Sequence, residues 1–234
     1  MPSPSWLGFL FIMNMSYEKG IGHHRLSPRR HRSCDNHPFL DFRDSFGDHS
    51  KNWAHLRTDA KYSQNADVLG LELVKQHISC GYASIEMLSS YYGKKASEDD
   101  LDARNASMST STSHDFLDEA SKSIPSKRFV MHEYLENDRL LKEVHESLEK
   151  GNPIAIEWAA KFKSEWTLHF SIVTGMDLSK DLVTAYNPYG YIKKIDVEEF
   201  IARTSFESHA PLPLFLCFGF AYGAFHKNTI FYAE

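Results

Sequence analysis

Cysteine is scarce in this 234-residue chain. The three present, Cys34, Cys80 and Cys217, are too few and too scattered for a disulfide scaffold. Twelve glycines and nine prolines beside 42% hydrophobic residues exclude a collagen-like, coiled-coil or wholly disordered chain. A basic excess is also missing. With a net charge of −5, no clustered cationic face is expected, and nucleic acid is not an expected partner. No apolar run approaches the roughly 20 residues of a membrane span. The length suits one or two domains and a full core.

Charge and histidine are unevenly spread. Residues 1–65 carry a net +3 and six histidines before residue 60, whereas the remainder carries −8. This stretch lacks periodicity and reads as an irregular, basic, His-rich extension preceding one domain at 66–234. Its apolar run at 6–13 has no basic residue before it and no small-residue cleavage site after it, so it does not read as a signal peptide. A cytoplasmic location is expected, with secretion the alternative. Oligomeric state leaves no mark on the sequence.

Periodicity sharpens from residue 70. Cys80, Ala83, Ser84, Met87, Leu88 and Tyr91 recur at helical spacing before Gly93, and a second helix is expected after Ser97. A Ser/Thr-rich loop leads to a helix capped by Thr112 or Ser113 and finished before Pro125. Asn137 is expected to cap a helix over 138–150, with Leu140, Leu141, Val144 and Leu148 as its apolar stripe and His145 solvated. Short β-branched and aromatic runs at 154–158, 168–174 and 182–186 predict strands, and 197–203 a brief helix. The apolar run at 212–225 reads as a buried strand or strand pair, with 228–232 as an edge element and Cys217 as a small buried hydrophobe. Helices first and strands later predict an α+β domain with a cleft between the two lobes.

Cys80 falls at a helix start, where unpaired N–H groups and the dipole lower a thiol's pKa; Gly81 leaves room for substrate. Gln76 could aim an amide N–H at a developing oxyanion beside the Cys80 N–H. His169 stands in the otherwise apolar strand Leu168-His169-Phe170-Ser171-Ile172-Val173, on the face opposite Phe170. Asn187, before Pro188 at the end of the next strand, could orient the imidazole. Nucleophile, base, orienter and oxyanion donor are thus all available, although each residue alone has a structural reading as well.

The segments Gln76-x-x-x-Cys80-Gly81-x-Ala83-Ser84, Met87-Leu88 and Tyr91-Tyr92-Gly93 resemble the nucleophile region of papain-like cysteine peptidases of the double-glycine, bacteriocin-leader-processing type and their stand-alone relatives. Gly151-x-Pro153-Ile154, His169-Phe170, Gly175-Met176-Asp177 and Asn187-Pro188-Tyr189-Gly190 continue the resemblance in order. It implies a papain-like fold, a helical lobe followed by an antiparallel β-sheet lobe. It also implies catalysis by Cys80, His169 and Asn187, with Gln76 in the oxyanion hole and no cofactor or metal. The expected function is hydrolysis of a peptide or amide bond through an acyl-enzyme, with a peptide or protein as substrate. An inactive papain-like peptide-binding module is the alternative, kept because Gln76 stands closer to Cys80 than is usual; an amidase or transglutaminase-like acyltransferase is another.

Other candidates read more simply. Cys34-x-x-His37 has a metal-like spacing without a second pair, and His132-Glu133 has no second histidine four residues on. Trp158 is expected in the core. Trp166 serves either the core or as a shield over the His169–Asn187 pair. Glu157 and Glu165 belong either to the cleft lining or to a solvated edge.

Overall fold

A computed structural model of the chain describes residues 52–105, 112–162, 165–206 and 214–234. The expectations for 1–51, including Cys34-x-x-His37 and the apolar run at 6–13, lie outside the described residues. Where the N-terminal stretch is described, it is packed. Trp53 and Leu56, beside the 3-10 turn Ala54–Arg57, are buried in the core.

A two-residue strand β1 (Ala66–Asp67) is followed by three helices whose starts are written locally. Helix α1 (Cys80–Tyr91) begins after extended Ser79, whose hydroxyl accepts the Tyr82 N–H at 3.1 Å. Beyond its last turn Gly93 takes φ 71°, a conformation a side chain would resist. Helix α2 (Glu98–Arg104) opens with a reciprocal Ser97–Asp100 capping box, and α3 (Ser113–Ser123) with Thr112 accepting the Asp115 N–H. Strand β2 (Phe129–His132) comes next, then α4 (Asn137–Glu149).

Two features of α4 differ from expectation. Glu136, not Asn137, occupies the cap position, and the Asn137 side chain instead accepts a hydrogen bond from Asn228. His145 is fully buried, its Nε2 donating to the Gln64 carbonyl at 2.7 Å and its ring edge-on to Tyr62. The chain just before β1 covers this side of α4, which helical periodicity alone does not register.

Strands β3 (Ile154–Phe162), β4 (Glu165–Asp177), β5 (Leu182–Asn187) and β6 (Tyr191–Ile195) form a meander, followed by α5 (Val197–Ser205). The 212–225 run is not a strand pair: it contains helix α6 (Leu214–Ala221). An apolar run without alternation does not distinguish strand from helix. Gly219 accommodates the turn back of the chain, since a Cβ there would lie 2.6 Å from the Phe225 ring. Cys217, in this helix, is buried as expected but disulfide-bonded. The last strand, β7 (Ile230–Ala233), is not at an edge; it inserts between β2 and β3.

Among the described residues the sheet runs β2-β7-β3-β4-β5-β6, with β1 paired to β4, and every pairing is antiparallel. The alternation of β3 and β4 divides the core in two. Ile154, Ile156, Trp158 and Val173 pack with the stripe of α4 and with Val197, Phe200 and Ile201 of α5. Ala155, Phe170 and Ile172 pack with Tyr82, Ile85 and Leu88 of α1, Leu101 of α2 and Phe116 of α3. The rings of Phe116 and Phe170 stack at 4.4 Å, an arrangement that adds about 0.5–1.5 kcal/mol beyond burial. Helices α1–α3 therefore cover one face of the sheet and α4 and α5 the other. No helix among the described residues is long and apolar enough to cross a membrane.

Candidate active site

Cys80 is the first residue of α1 and keeps partial exposure. The β4–β5 ladder begins at Ile172–Tyr186, so the edge of β4 at His169 and Phe170 has no β5 partner. The Phe170 N–H, with those of Gly81 and Cys80 itself, is turned toward the Cys80 sulfur. These amides would favour a thiolate, but burial outweighs them. The thiol is pushed up to about 11, with the Glu157 carboxylate adding to the shift. This reverses the expectation of a lowered pKa, because the helix N-terminus acts here on a sulfur largely removed from water.

His169 pairs across the ladder with Trp158, whose indole N–H donates at 3.0 Å to the hydroxyl of Ser171 on the same face of β4. Its ring lies 2.9 Å, through Nε2, from Oδ1 of Asn187, and both residues are only 1% exposed. The same Oδ1 receives the backbone N–H of Tyr189 at 2.8 Å, while Nδ2 donates to the Tyr191 hydroxyl. A backbone amide can only donate, so the atom it meets must be the oxygen. His169 Nε2 must then carry the proton, and Nδ1 presents the lone pair. Burial pushes the imidazole down to about 4, against the opposing pull of Asn187, so the ring is neutral near pH 7.

Tyr189, not Trp166, covers this ring: the two planes stack at 4.1 Å and 24°. Trp166 lies instead beneath the Arg203 guanidinium, which also sits over Trp158 and donates to the Ala159 carbonyl. Trp158 is in the core as expected.

Gln76 enters the region through its backbone. Its N–H donates to the Pro188 carbonyl at 2.7 Å, tying the approach to α1 to the turn that follows Asn187. Its carboxamide oxygen is buried without a partner. The structure thus joins His169 to Asn187, ties Gln76 to the turn after Asn187, and sets the Cys80 sulfur against the amide of Phe170, the residue next to His169.

Glu157, opposite Phe170 on β3, is buried rather than solvated. Its Oε2 accepts from Ser113 and its Oε1 has no partner; burial pushes its carboxyl up to about 8, mostly protonated at neutral pH. Among the described residues no group of three or more His, Cys, Asp or Glu is arranged to hold a metal ion.

The model of the Peptidase_C39 like family matches residues 61–209. The chain belongs to this family. The match contains Gln76, Cys80, His169 and Asn187 and supports the expected fold class, helices followed by an antiparallel sheet. No curated protein matches the chain. Membership in the family accounts for the order of the segments, not for every group at the site. Tyr189 stands two residues after Asn187, but a tyrosine in a turn carries no signal of stacking. Glu98 is one of three acidic residues in the first turn of α2, a pattern with no signal of a longer reach, yet its side chain reaches back to the approach to Cys80.

Proposed function

We propose that the protein is a cysteine-dependent hydrolase of peptide or amide bonds. The observation carrying this reading is the buried His169–Asn187 pair beside the open β4 edge, whose Phe170 amide meets the Cys80 sulfur. The neutral ring has its lone pair at Nδ1, ready to take the thiol proton as sulfur attacks the carbonyl. The carbonyl π electrons move to oxygen, and the tetrahedral oxyanion is stabilised by the Cys80 N–H and the Gln76 carboxamide. The unpartnered end of that carboxamide supports its role, since a half-turn about its terminal torsion puts the NH2 donor in place of the oxygen. Collapse of the intermediate breaks the C–N bond, and His169 passes its proton to the leaving amine. Water, deprotonated by His169, then attacks the thioester and releases the acid, and the proton returns to sulfur. A peptide is the expected substrate.

A second reading draws on one observation: burial holds Cys80 as a thiol and His169 as a neutral ring, so no ion pair is preformed. A binding module of the same fold would tolerate that arrangement. Incubation with peptide mixtures, with His169→Ala as control, separates the readings. New peptide termini support the peptidase, ammonia release an amidase or transglutaminase-like acyltransferase, and neither product the binding module.

A further inference from the structure

Glu98, the first residue of α2, is fully buried, and its carboxylate meets the backbone of residues 77–79. Oε1 accepts the His77 N–H at 3.1 Å; Oε2 accepts the Ile78 N–H at 2.9 Å and the Ser79 N–H at 3.0 Å. The His77 ring adds a fourth contact, Nδ1 to Oε1 at 3.1 Å, and through Nε2 reaches Asp99 at 3.0 Å. One anion thus gathers three successive amides immediately before Cys80. Glu98 is itself held, its N–H donating to Glu86 of α1 at 2.7 Å. Residues 76–80 are consequently fastened at two points: Gln76 on Pro188, and 77–79 on Glu98.

Three amides on one buried carboxylate is more than the fold needs to start α1, whose cap is already supplied by Ser79. What the clamp adds is a fixed backbone path between the two oxyanion donors of the proposed mechanism. We propose that Glu98 is a positioning residue of the acyl-transfer site: its carboxylate fixes residues 77–79, and with them the places of the Cys80 N–H and the Gln76 carboxamide. This rests on the peptidase reading above. Misplacing such groups by about 1 Å can cost on the order of 10²-fold in rate.

The test is Glu98→Gln, with Glu98→Asp as the conservative variant. A glutamine presents one acceptor oxygen and turns an NH2 toward amides that also donate, so the clamp must open. For a fluorogenic peptide amide, kcat should fall about 10²-fold in Glu98→Gln with KM little changed, and partly recover in Glu98→Asp. Alkylation of Cys80 by iodoacetamide, a displacement at saturated carbon that forms no oxyanion, should stay close to wild type. Unchanged kcat, or a parallel fall of kcat and alkylation, would overturn the proposal. Amide hydrogen exchange reads the clamp without turnover. Faster exchange at 77–79 with the middle of α1 still protected supports it, and retained protection at 77–79 overturns it. A wild type that hydrolyses nothing removes the peptidase reading, while the exchange result still decides whether Glu98 holds the segment.

Discussion

The carboxamide oxygen of Asn187 lies 2.9 Å from Nε2 of His169 and 2.8 Å from the Tyr189 amide nitrogen. The obligate donor identifies the oxygen, and the oxygen then fixes which ring nitrogen is protonated. The last residue of β5 so placed sets the tautomer of a strand residue 18 positions earlier.

Replacing Asn187 should separate orientation from charge. Asn187→Asp keeps an acceptor for both donors and should retain most of the peptide-hydrolysing activity. Asn187→Ala frees the ring to take the other tautomer and should lower kcat by about 10²-fold, the lower range of general acid–base contributions. Steady-state kinetics normalised by titrated thiol would check this; equal losses in the two variants would count against tautomer control.

Cys80 should behave as a neutral thiol at rest. Its rate of alkylation by iodoacetamide should climb with pH beyond the ~8.5 of a free cysteine, with no plateau between pH 5 and 7. His169→Ala should leave that profile nearly unmoved while abolishing peptide hydrolysis, because in the proposed mechanism the ring serves as a base during attack and not as a standing counter-ion. A reactive thiolate at pH 6 that vanishes in His169→Ala would show an ion pair instead.

Tyr189 keeps water from one face of His169. Tyr189→Ala should raise the imidazole pKa from about 4 toward the ordinary 6.5, because desolvation is the main cause of its depression. NMR titration of the His169 ring protons reads this directly. An unmoved pKa would mean that burial by Trp158 and the strand dominates.

Two buried groups should tilt the stability curve in opposite directions. His169 takes up its proton near pH 6.5 when unfolded but only near 4 when folded. Its contribution is therefore complete above 6.5 and is lost as pH falls toward 4, by up to about 3 kcal/mol. Glu157 ionises near 4.5 when unfolded but near 8 when folded, so its contribution is complete below 4.5 and is lost as pH rises toward 8. Denaturant titrations from pH 4 to 8 should show His169→Gln flattened on the acid side and Glu157→Gln on the alkaline side. Curves parallel to wild type would contradict both assignments.

The features legible in the sequence are those governed by residues close along the chain. Ser79, Ser97 and Thr112 cap helices whose first amides lie two or three residues away, and the apolar stripe of α4 follows from its own period. The strand carrying His169 and the strand end carrying Asn187 were readable for the same reason, as were the residue types that acyl transfer requires. Where local rules were silent or ambiguous, the structure differed. Residues 214–221 are helical, β7 is interior, and His145 is buried beneath a segment some 80 residues earlier.

The sequence by itself therefore determined the helices over 80–91, 98–104, 113–123 and 137–149 and the strands at 154–162, 165–177 and 182–187, and it supplied a thiol, an imidazole and two carboxamides within the family match. Only the tertiary structure decided their state and support: the imidazole tautomer through Asn187, the ring cover by Tyr189, and the neutral resting charges of Cys80 and His169. The clamp of Glu98 on residues 77–79 belongs with these. The reason is physical. Helix starts and strand alternation depend on neighbours a few residues apart, whereas desolvation and hydrogen-bond partners depend on segments that become neighbours only when the sheet and its helices close on one another.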